Sequence, residues 1–441
     1  MPLNEILAIG CILSFFAMLA IGIPVALTLA VSGFVFGWLG FGSLLFNLLP
    51  ARIYGVTANY TLIAIPLFVF MGVMLEKSRI ADELMEVIGH VSGSLRGGMG
   101  LGIILVGVLM GATTGIVGAT IVTLGLLTLP TLLRRGYDKR LACGTICAAG
   151  TLGQLIPPST ILILLADIMG QSVGTLFAAA VVPGLLLAGI FCAAMLLLGV
   201  LRPDMVPPIP IEERRALPRR VLLEKVLKVG LPPVALVLAV LGSIIGGVAA
   251  PTEAASMGAI GSILVAAIAG RLSWGTLVQT VHSTARITAA MMFVLICSQV
   301  FALAFRGLHG EKLVQDAFAL VPGGVDGVIL FMIALIFVLG FFIEWIEISY
   351  IVVPMFLPVL QAGNVDPVWT ATLIAVILQT SFLTPPFGWA LFYLRGVAPP
   401  EVATLDIYKG VVPFILLQLA AVAVIFLYPD LATWLPRAIG W

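Results

Sequence analysis

Two stretches of the chain, Gly136–Ser159 (GYDKRLACGTICAAGTLGQLIPPS) and Asn364–Phe387 (NVDPVWTATLIAVILQTSFLTPPF), lie over one another without a gap at an offset of 228 positions (364 − 136 = 228). Asp138 matches Asp366, and the double proline 157–158 matches 385–386. Pro130 and Pro358 keep the same spacing outside the quoted stretches (358 − 130 = 228). The chain therefore contains an internal repeat of about half its length.

Working outward, the repeat sits in a chain of 441 residues that is 61% hydrophobic and only 10% charged. Soluble domains carry roughly 25% charged residues, so a soluble fold is excluded. No basic patch points to nucleic acid. The five cysteines and three histidines form no metal-ligand spacing, and the cysteines read as apolar packing residues. The N-terminus has no basic region or small-residue cleavage site, so the apolar run from Ile6 reads as a retained span.

Apolar runs near the ~20 residues needed to cross a bilayer fall at 6–20, 24–39, 61–75, 141–169 and 176–201 in the first half. The second half has them at 226–245, 252–269, 287–305, 368–394 and 411–427. Residues 44–58 could add a surface or extra helix. Five spans per half, an odd number, would turn the second half upside down. Between the third and fourth spans of each half lies a run bent by small residues, 99–133 and 328–360, which reads as a re-entrant hairpin. Such irregular backbone survives at membrane depth only inside protein or beside a wet cavity. The expected fold is thus an all-α polytopic membrane protein of two inverted repeats, residues 1–201 and 226–441, joined by a proline-rich polar linker at 202–225.

Basic residues support the inversion. The loop Arg134–Arg140 holds four Lys or Arg, whereas its repeat mate Gln361–Pro367 holds none. With the N-terminus outside, the seven basic residues of 202–228 fall on the cytoplasmic side. Arg52, Arg306, Lys312 and Arg437 are left as exceptions outside.

The chemistry is expected where the prolines break the fourth span of each half, since proline removes a backbone donor and clashes with the preceding turn. A broken helix offers carbonyls suited to a sodium ion and, at the start of its second part, amides suited to a carboxylate. Gly150, Thr151, Gly153 and Ser159 flank the first break, and Thr380, Ser381, Thr384 and Gly388 the second. The hairpin tips add Thr113, Thr114, Thr120 and Ser349, oxygen donors of the kind hard cations prefer, although a threonine hydroxyl in a helix commonly bonds back to its own turn. Glu344 and Glu347 are acidic residues at membrane depth and so functional candidates, to hold a cation or proton or to pair with a base such as Arg306. The pattern Gly111-x-x-x-Gly115 reads as helix packing. Trp345 and Trp389 fall beside the second tip and the second break.

The segments PLFVFMGVMLEKSRIADEL, GATTGIVGATIVTLG, LRRGYDKRLACGTICAAGTLGQLIPPS, GGVAAPTEAASMGA and FLTPPFG together resemble the large (DctM-like) membrane subunit of tripartite ATP-independent periplasmic (TRAP) transporters, across essentially the whole chain. The first half and FFIEWIEIS look most similar to the branch labelled mannitol/chloroaromatic, often linked with alpha-keto acid uptake. The resemblance implies a multi-pass permease of the bacterial inner membrane, of elevator type within the ion-transporter superfamily, and not an enzyme. It would take up a small organic acid, a dicarboxylate, alpha-keto acid or related carboxylate, with sodium as coupling ion. A periplasmic substrate-binding protein and a small membrane subunit would be its partners. Matched motif by motif, Thr113, Thr114, Gly115, Thr120, Gly150, Thr151, Glu344, Ser349, Thr380 and Thr384 would serve sodium. Gly153, Pro157, Pro158, Ser159, Pro385, Pro386 and Gly388 would line the substrate. The chain departs from many relatives in having Thr113-Thr114 in place of a serine-rich first tip and Glu344 in place of an aspartate in the second hairpin. A carrier of the same fold working without a binding protein is the alternative.

Overall fold

The computed structural model describes residues 2–80, 83–85, 87, 91, 94–114, 117–209, 224–318, 321–386 and 388–441, without the side chains of 113, 114 and 229. The first half runs α1 (Leu3–Ala20), α2 (Val25–Phe41), α3 (Leu44–Thr57), a 3-10 turn (Tyr60–Ile63), α4 (Ala64–Lys77), α5 (Gly98–Thr114), α6 (Val117–Arg134), α7 (Lys139–Leu152), α8 (Thr160–Met169) and α9 (Val173–Leu201). After a π-helical turn at Val226–Gly230 the second half runs α10 (Leu231–Ile245), α11 (Pro251–Ile268), α12 (Trp274–Gly307), α13 (Gly310–Phe318), α14 (Gly324–Leu339), α15 (Trp345–Ala362), α16 (Pro367–Phe382), α17 (Trp389–Val397), α18 (Thr404–Leu427) and α19 (Asp430–Ala438). Among the described residues nine helical segments are long and apolar enough to cross a membrane, so the chain is an all-helical polytopic membrane protein. Most of the linker, 210–223, lies outside the described residues.

The repeat offset persists in the local chemistry. Asp138 caps α7 by accepting from the amides of Arg140 and Leu141, and Asp366 caps α16 by accepting from those of Val368 and Trp369. Each acceptor and each donor is displaced by 228 positions (368 − 140 and 369 − 141). The aspartate satisfies amides that the first helical turn cannot pair internally. α6 and α15 match end for end at the same offset (345 − 117 and 362 − 134).

Partners are exchanged between the halves. α2 packs along α12 while α11 packs along α4; α7 packs on α18 while α16 packs on α9. α6 meets α17, and α15 meets α8. Close crossings use glycine: a Cβ on Gly33 would come within 2.7 Å of the Phe301 amide nitrogen. The two halves thus form one interlocked body whose centre is α7 and α16. All of α7 from Leu141 to Leu152 and all of α16 from Trp369 to Phe382 is buried.

The third span differs between the halves. Residues 44–77 and 274–307 have equal length (77 − 44 = 307 − 274), yet the second is one helix of 34 residues, about 51 Å long, and the first is bent. The bend is at Asn59, whose side chain accepts from the Thr61 amide and starts a tighter turn. A short polar side chain competes in this way with the helix ladder. Ile287, at the repeat position of Asn59 (287 − 59 = 228), has no such side chain, and the helix continues through it.

Candidate functional site

Both double-proline segments interrupt a helix. α7 stops at Leu152 and α8 starts at Thr160; α16 stops at Phe382 and α17 starts at Trp389. The Pro157–Pro158 and Pro385–Pro386 peptide bonds are both cis. In the first break the Ser159 hydroxyl donates to the Gln154 carbonyl, closing the loop on itself. Gly388 forms the N-cap of α17, and its amide donates to the Thr384 carbonyl at 3.1 Å.

Each break is held by the hairpin of its own half. α5 and α6 pack on α7, and α14 packs on α16. At the first break, Gly111 of α5 lies directly against Gly153: a Cβ on either would overlap the backbone of the other. At the second, a Cβ on Gly340, at the end of α14, would overlap the Ser381 side chain. Ser381 is the repeat mate of Gly153 (381 − 153 = 228).

The breaks and hairpin tips meet at a cavity of about 230 Å³. Gln154 reaches it from the first break, and Phe382 and Trp389 from the second. The start of α6 supplies Val117 and Gly118, and the start of α15 supplies Glu344, Trp345 and Ile346. Tyr393 of α17 and the stretch Ile287 to Val294 of α12 close the wall.

Polar groups here are buried without a protein partner. Among the described residues these are Gln154 Oε1 and Trp389 Nε1; Glu347 Oε2 and both side-chain polar atoms of Gln379 and of Gln418 are likewise unpartnered but belong to residues that do not line the cavity. Each such group costs about 1–3 kcal/mol unless water, an ion or a substrate satisfies it. Glu344 borders the cavity and does not pair with Arg306, whose guanidinium meets Glu311 at 2.8 Å.

The expected hydroxyls bond back to their own helices. Thr151 donates to the Ala148 carbonyl at 2.9 Å, Ser349 to Trp345 at 2.7 Å, Thr380 to Val376 at 2.9 Å and Thr384 to Thr380 at 3.0 Å. A hydroxyl that donates its hydrogen keeps its lone pairs, so these oxygens remain able to face a cation. Thr120 is fully buried in α6 and Gly150 is buried in α7. Pro157, Pro158 and Ser159 are buried behind Gln154, whereas Pro385 is half-buried and Pro386 exposed, its carbonyl accepting from the Tyr408 hydroxyl at 2.9 Å. The double prolines shape the two breaks, and the cavity wall is made by their neighbours. Gly115 and the side chains of Thr113 and Thr114 lie outside the described residues.

Tyr393 and the α12 stretch were not legible as cavity residues in the sequence, whereas Gly118 and Gln154 fall within the stretches Thr113–Thr120 and Gly150–Ser159 that the resemblance implies line the sites. One signal was available for Gln154, a polar side chain between Gly153 and Pro157 in an apolar span.

A helical membrane protein in which two interrupted helices and two hairpin tips converge on one internal cavity has the build of a transport protein. The chain belongs to the DctM component family of tripartite ATP-independent periplasmic transporters, whose family model matches residues 12–431; it is a transporter permease and not an enzyme. It is 26% identical over 421 residues to the ectoine TRAP transporter large permease protein TeaC of Halomonas elongata, covering 95% of this chain and 96% of that one. It is also 26% identical over 443 residues to the C4-dicarboxylate TRAP transporter large permease protein DctM of Vibrio cholerae, covering 95% of each. In fold it is similar to the YdaH transporter of Alcanivorax borkumensis, with a TM-score of 0.62 at 17% identity, covering 91% of this chain and 90% of that one.

Proposed function

We propose that the chain is the large permease subunit of a TRAP system in a bacterial inner membrane, driving sodium-coupled uptake of a small organic acid. The observation that carries this reading is the shared cavity, bordered by both helix breaks and both hairpin tips. In this reading residues 1–201 and 226–441 are inverted repeats joined by the cytoplasmic linker 202–225. The hairpins 99–133 and 328–360 are re-entrant, one opening from each side. Transport moves α5–α8 and α14–α17 as an elevator against the outer spans.

Sodium binds at the carbonyl ends of α7 and α16 with help from Thr113, Thr114, Gly115, Thr120, Gly150, Thr151, Glu344, Ser349, Thr380 and Thr384. The substrate carboxylate faces the opposite helix starts at Gly153, Pro157, Pro158 and Ser159 and at Pro385, Pro386 and Gly388. The physical basis is that interrupted helices direct carbonyls at cations and amide dipoles at anions. Relatives carry different cargoes by name, ectoine for TeaC and C4-dicarboxylates for DctM, consistent with a shared permease plan and a cargo delivered by a separate periplasmic binding protein. A small membrane subunit completes the assembly.

The test is uptake of the binding protein's ligand into proteoliposomes holding both membrane subunits. A sodium gradient is expected to drive accumulation only when the loaded binding protein is outside. Accumulation that follows a proton gradient and ignores sodium would reject the coupling ion. Uptake unchanged without the binding protein would reject the tripartite arrangement.

A further inference from the structure

We propose that a groove between α9, α18 and α19 binds a phospholipid whose headgroup carries an amine, of the phosphatidylethanolamine kind. The inference goes beyond the transport cycle proposed above and depends on neither its cargo nor its coupling ion. The groove measures about 800 Å³. Its floor is Val182 of α9, Val424 of α18 and Leu431 of α19, and its rim is Tyr428, Asp430, Trp434 and Arg437.

Polarity along the groove follows depth. α19 packs on both α9 and α18, at the end of the bundle where α9 begins and α18 stops. In the orientation proposed above this is the outer face. Val182 stands nine residues into α9 (182 − 173 = 9), about 14 Å along the helix. The charged and hydrogen-bonding side chains of the lining belong instead to residues 428–437, beyond the end of α18. Tryptophan and tyrosine at that level, above an aliphatic floor, match the order of headgroup, interface and acyl chain in a lipid leaflet. α19 is anchored for this position: Ala432, Thr433 and Pro436 are buried, and a Cβ on Gly174 would come within 2.0 Å of the Trp441 ring. Its opposite face, with Trp434 and Arg437, stays exposed, as in a helix lying at a membrane surface.

Charge selects the headgroup. Arg437 reaches Asp430 at 3.2 Å and Asp366 at 3.7 Å, so two carboxylates face one guanidinium and the rim is left net negative. Exposed pairs of this kind add little to stability, and the Asp430 side chain is 84% exposed. A lipid phosphate can meet Arg437 and the Trp434 indole, while an ammonium on the same headgroup meets Asp430. A glycerol headgroup brings the phosphate charge with no ammonium to offset it, and the excess carboxylate repels it. The site also bears on the transport machinery. Asp366 uses its other oxygen to cap α16, the helix that runs into the second break, so a lipid drawing on Arg437 acts on the start of that helix.

The test uses the purified full chain, delipidated in detergent, and native mass spectrometry with equimolar phosphatidylethanolamine and phosphatidylglycerol of identical acyl chains. One lipid is expected to stay bound per chain, the ethanolamine form roughly tenfold ahead of the glycerol form. Both carry the same phosphate, so the ratio reports the amine. Asp430→Asn is expected to bring the ratio close to parity while leaving the lipid-free melting temperature in place. Trp434→Ala is expected to weaken both lipids and keep the ratio. Equal retention of the two lipids by the unaltered chain overturns the proposal, as does a ratio indifferent to Asp430→Asn, retention indifferent to Trp434→Ala, or a folded chain that holds neither lipid. Displacement of the lipid on adding the small membrane subunit would also overturn it, by making the groove a subunit interface. Binding is read without transport, so failure of coupled uptake would strike the permease reading and leave the lipid site standing.

Discussion

The two helix breaks are alike in architecture and unlike in chemistry. In both the double proline stands 19 residues past the aspartate that caps the helix (157 − 138 = 385 − 366 = 19), and both breaks are clasped by the hairpin of their own half. The first is sealed, with Pro157, Pro158 and Ser159 buried and Gly153 pressed on Gly111. The second is polar and partly open: Ser381 stands where the first has Gly153, Glu344 and Glu347 sit at its hairpin tip, and Pro386 reaches the surface. The two breaks share a frame, and the side chains on that frame differ. A symmetric backbone can therefore hold an asymmetric site, with one break buried and the other partly exposed.

Exchanging residues between the breaks tests that contrast most severely. Gly153→Leu forces a branched side chain into the Gly111 backbone and is expected to abolish folded protein. Gly153→Ser, which installs the residue of the second break, is expected to cost about 1–3 kcal/mol, read as a lowered melting temperature in detergent. Ser381→Gly in the second break loses the Cβ and a hydroxyl bonded to the Leu378 carbonyl, and is expected to cost about 1 kcal/mol. Equal losses from Gly153→Ser and Ser381→Gly would erase the distinction between a packed and a polar break.

Charge is the next difference. Glu344→Gln is expected to raise the sodium concentration for half-maximal uptake by roughly tenfold to a hundredfold, the range of a lost charge-assisted contact, with little change in melting temperature. Unaltered sodium dependence would leave Glu344 a bystander. Accessibility gives a smaller effect: a cysteine at 386 is expected to react with a maleimide roughly tenfold faster than one at 158, because only the former reaches the surface. Least of all, Asp138→Ala and Asp366→Ala are expected to cost about 1 kcal/mol each. Near-equal values would sharpen the equivalence of the two halves, since each aspartate caps by the same two bonds.

What the sequence disclosed was local or repeated. Asp138, Asp366 and the proline pairs act within a few residues of themselves, so their consequences could be read without the fold. The bend at Asn59 was half legible, as an extra apolar run at 44–58, but the undivided helix 274–307 was not, because nothing in either stretch reports the other's continuity. Arg306, one of the partners open to Glu344 and Glu347 in the sequence, pairs with Glu311 instead. Glu311 lies five positions ahead of it across the turn into α13, a short helix that the layout of membrane spans left out. The far side of the cavity wall was the least legible part, since Met291 and Tyr393 meet Gly118 and Gln154 only when elements from both halves are packed, and apolar composition hides which faces turn inward.

The central claim is that the two breaks approach the cavity from opposite sides of the membrane. In a cysteine-free background, Arg134→Cys and Ala362→Cys place single thiols at repeat-equivalent exposed positions (362 − 134 = 228). Right-side-out vesicles are then treated with a membrane-impermeant maleimide before and after permeabilisation. The account predicts that the thiol at 362 labels at once and the thiol at 134 only after permeabilisation. Labelling of both from the same side would contradict it.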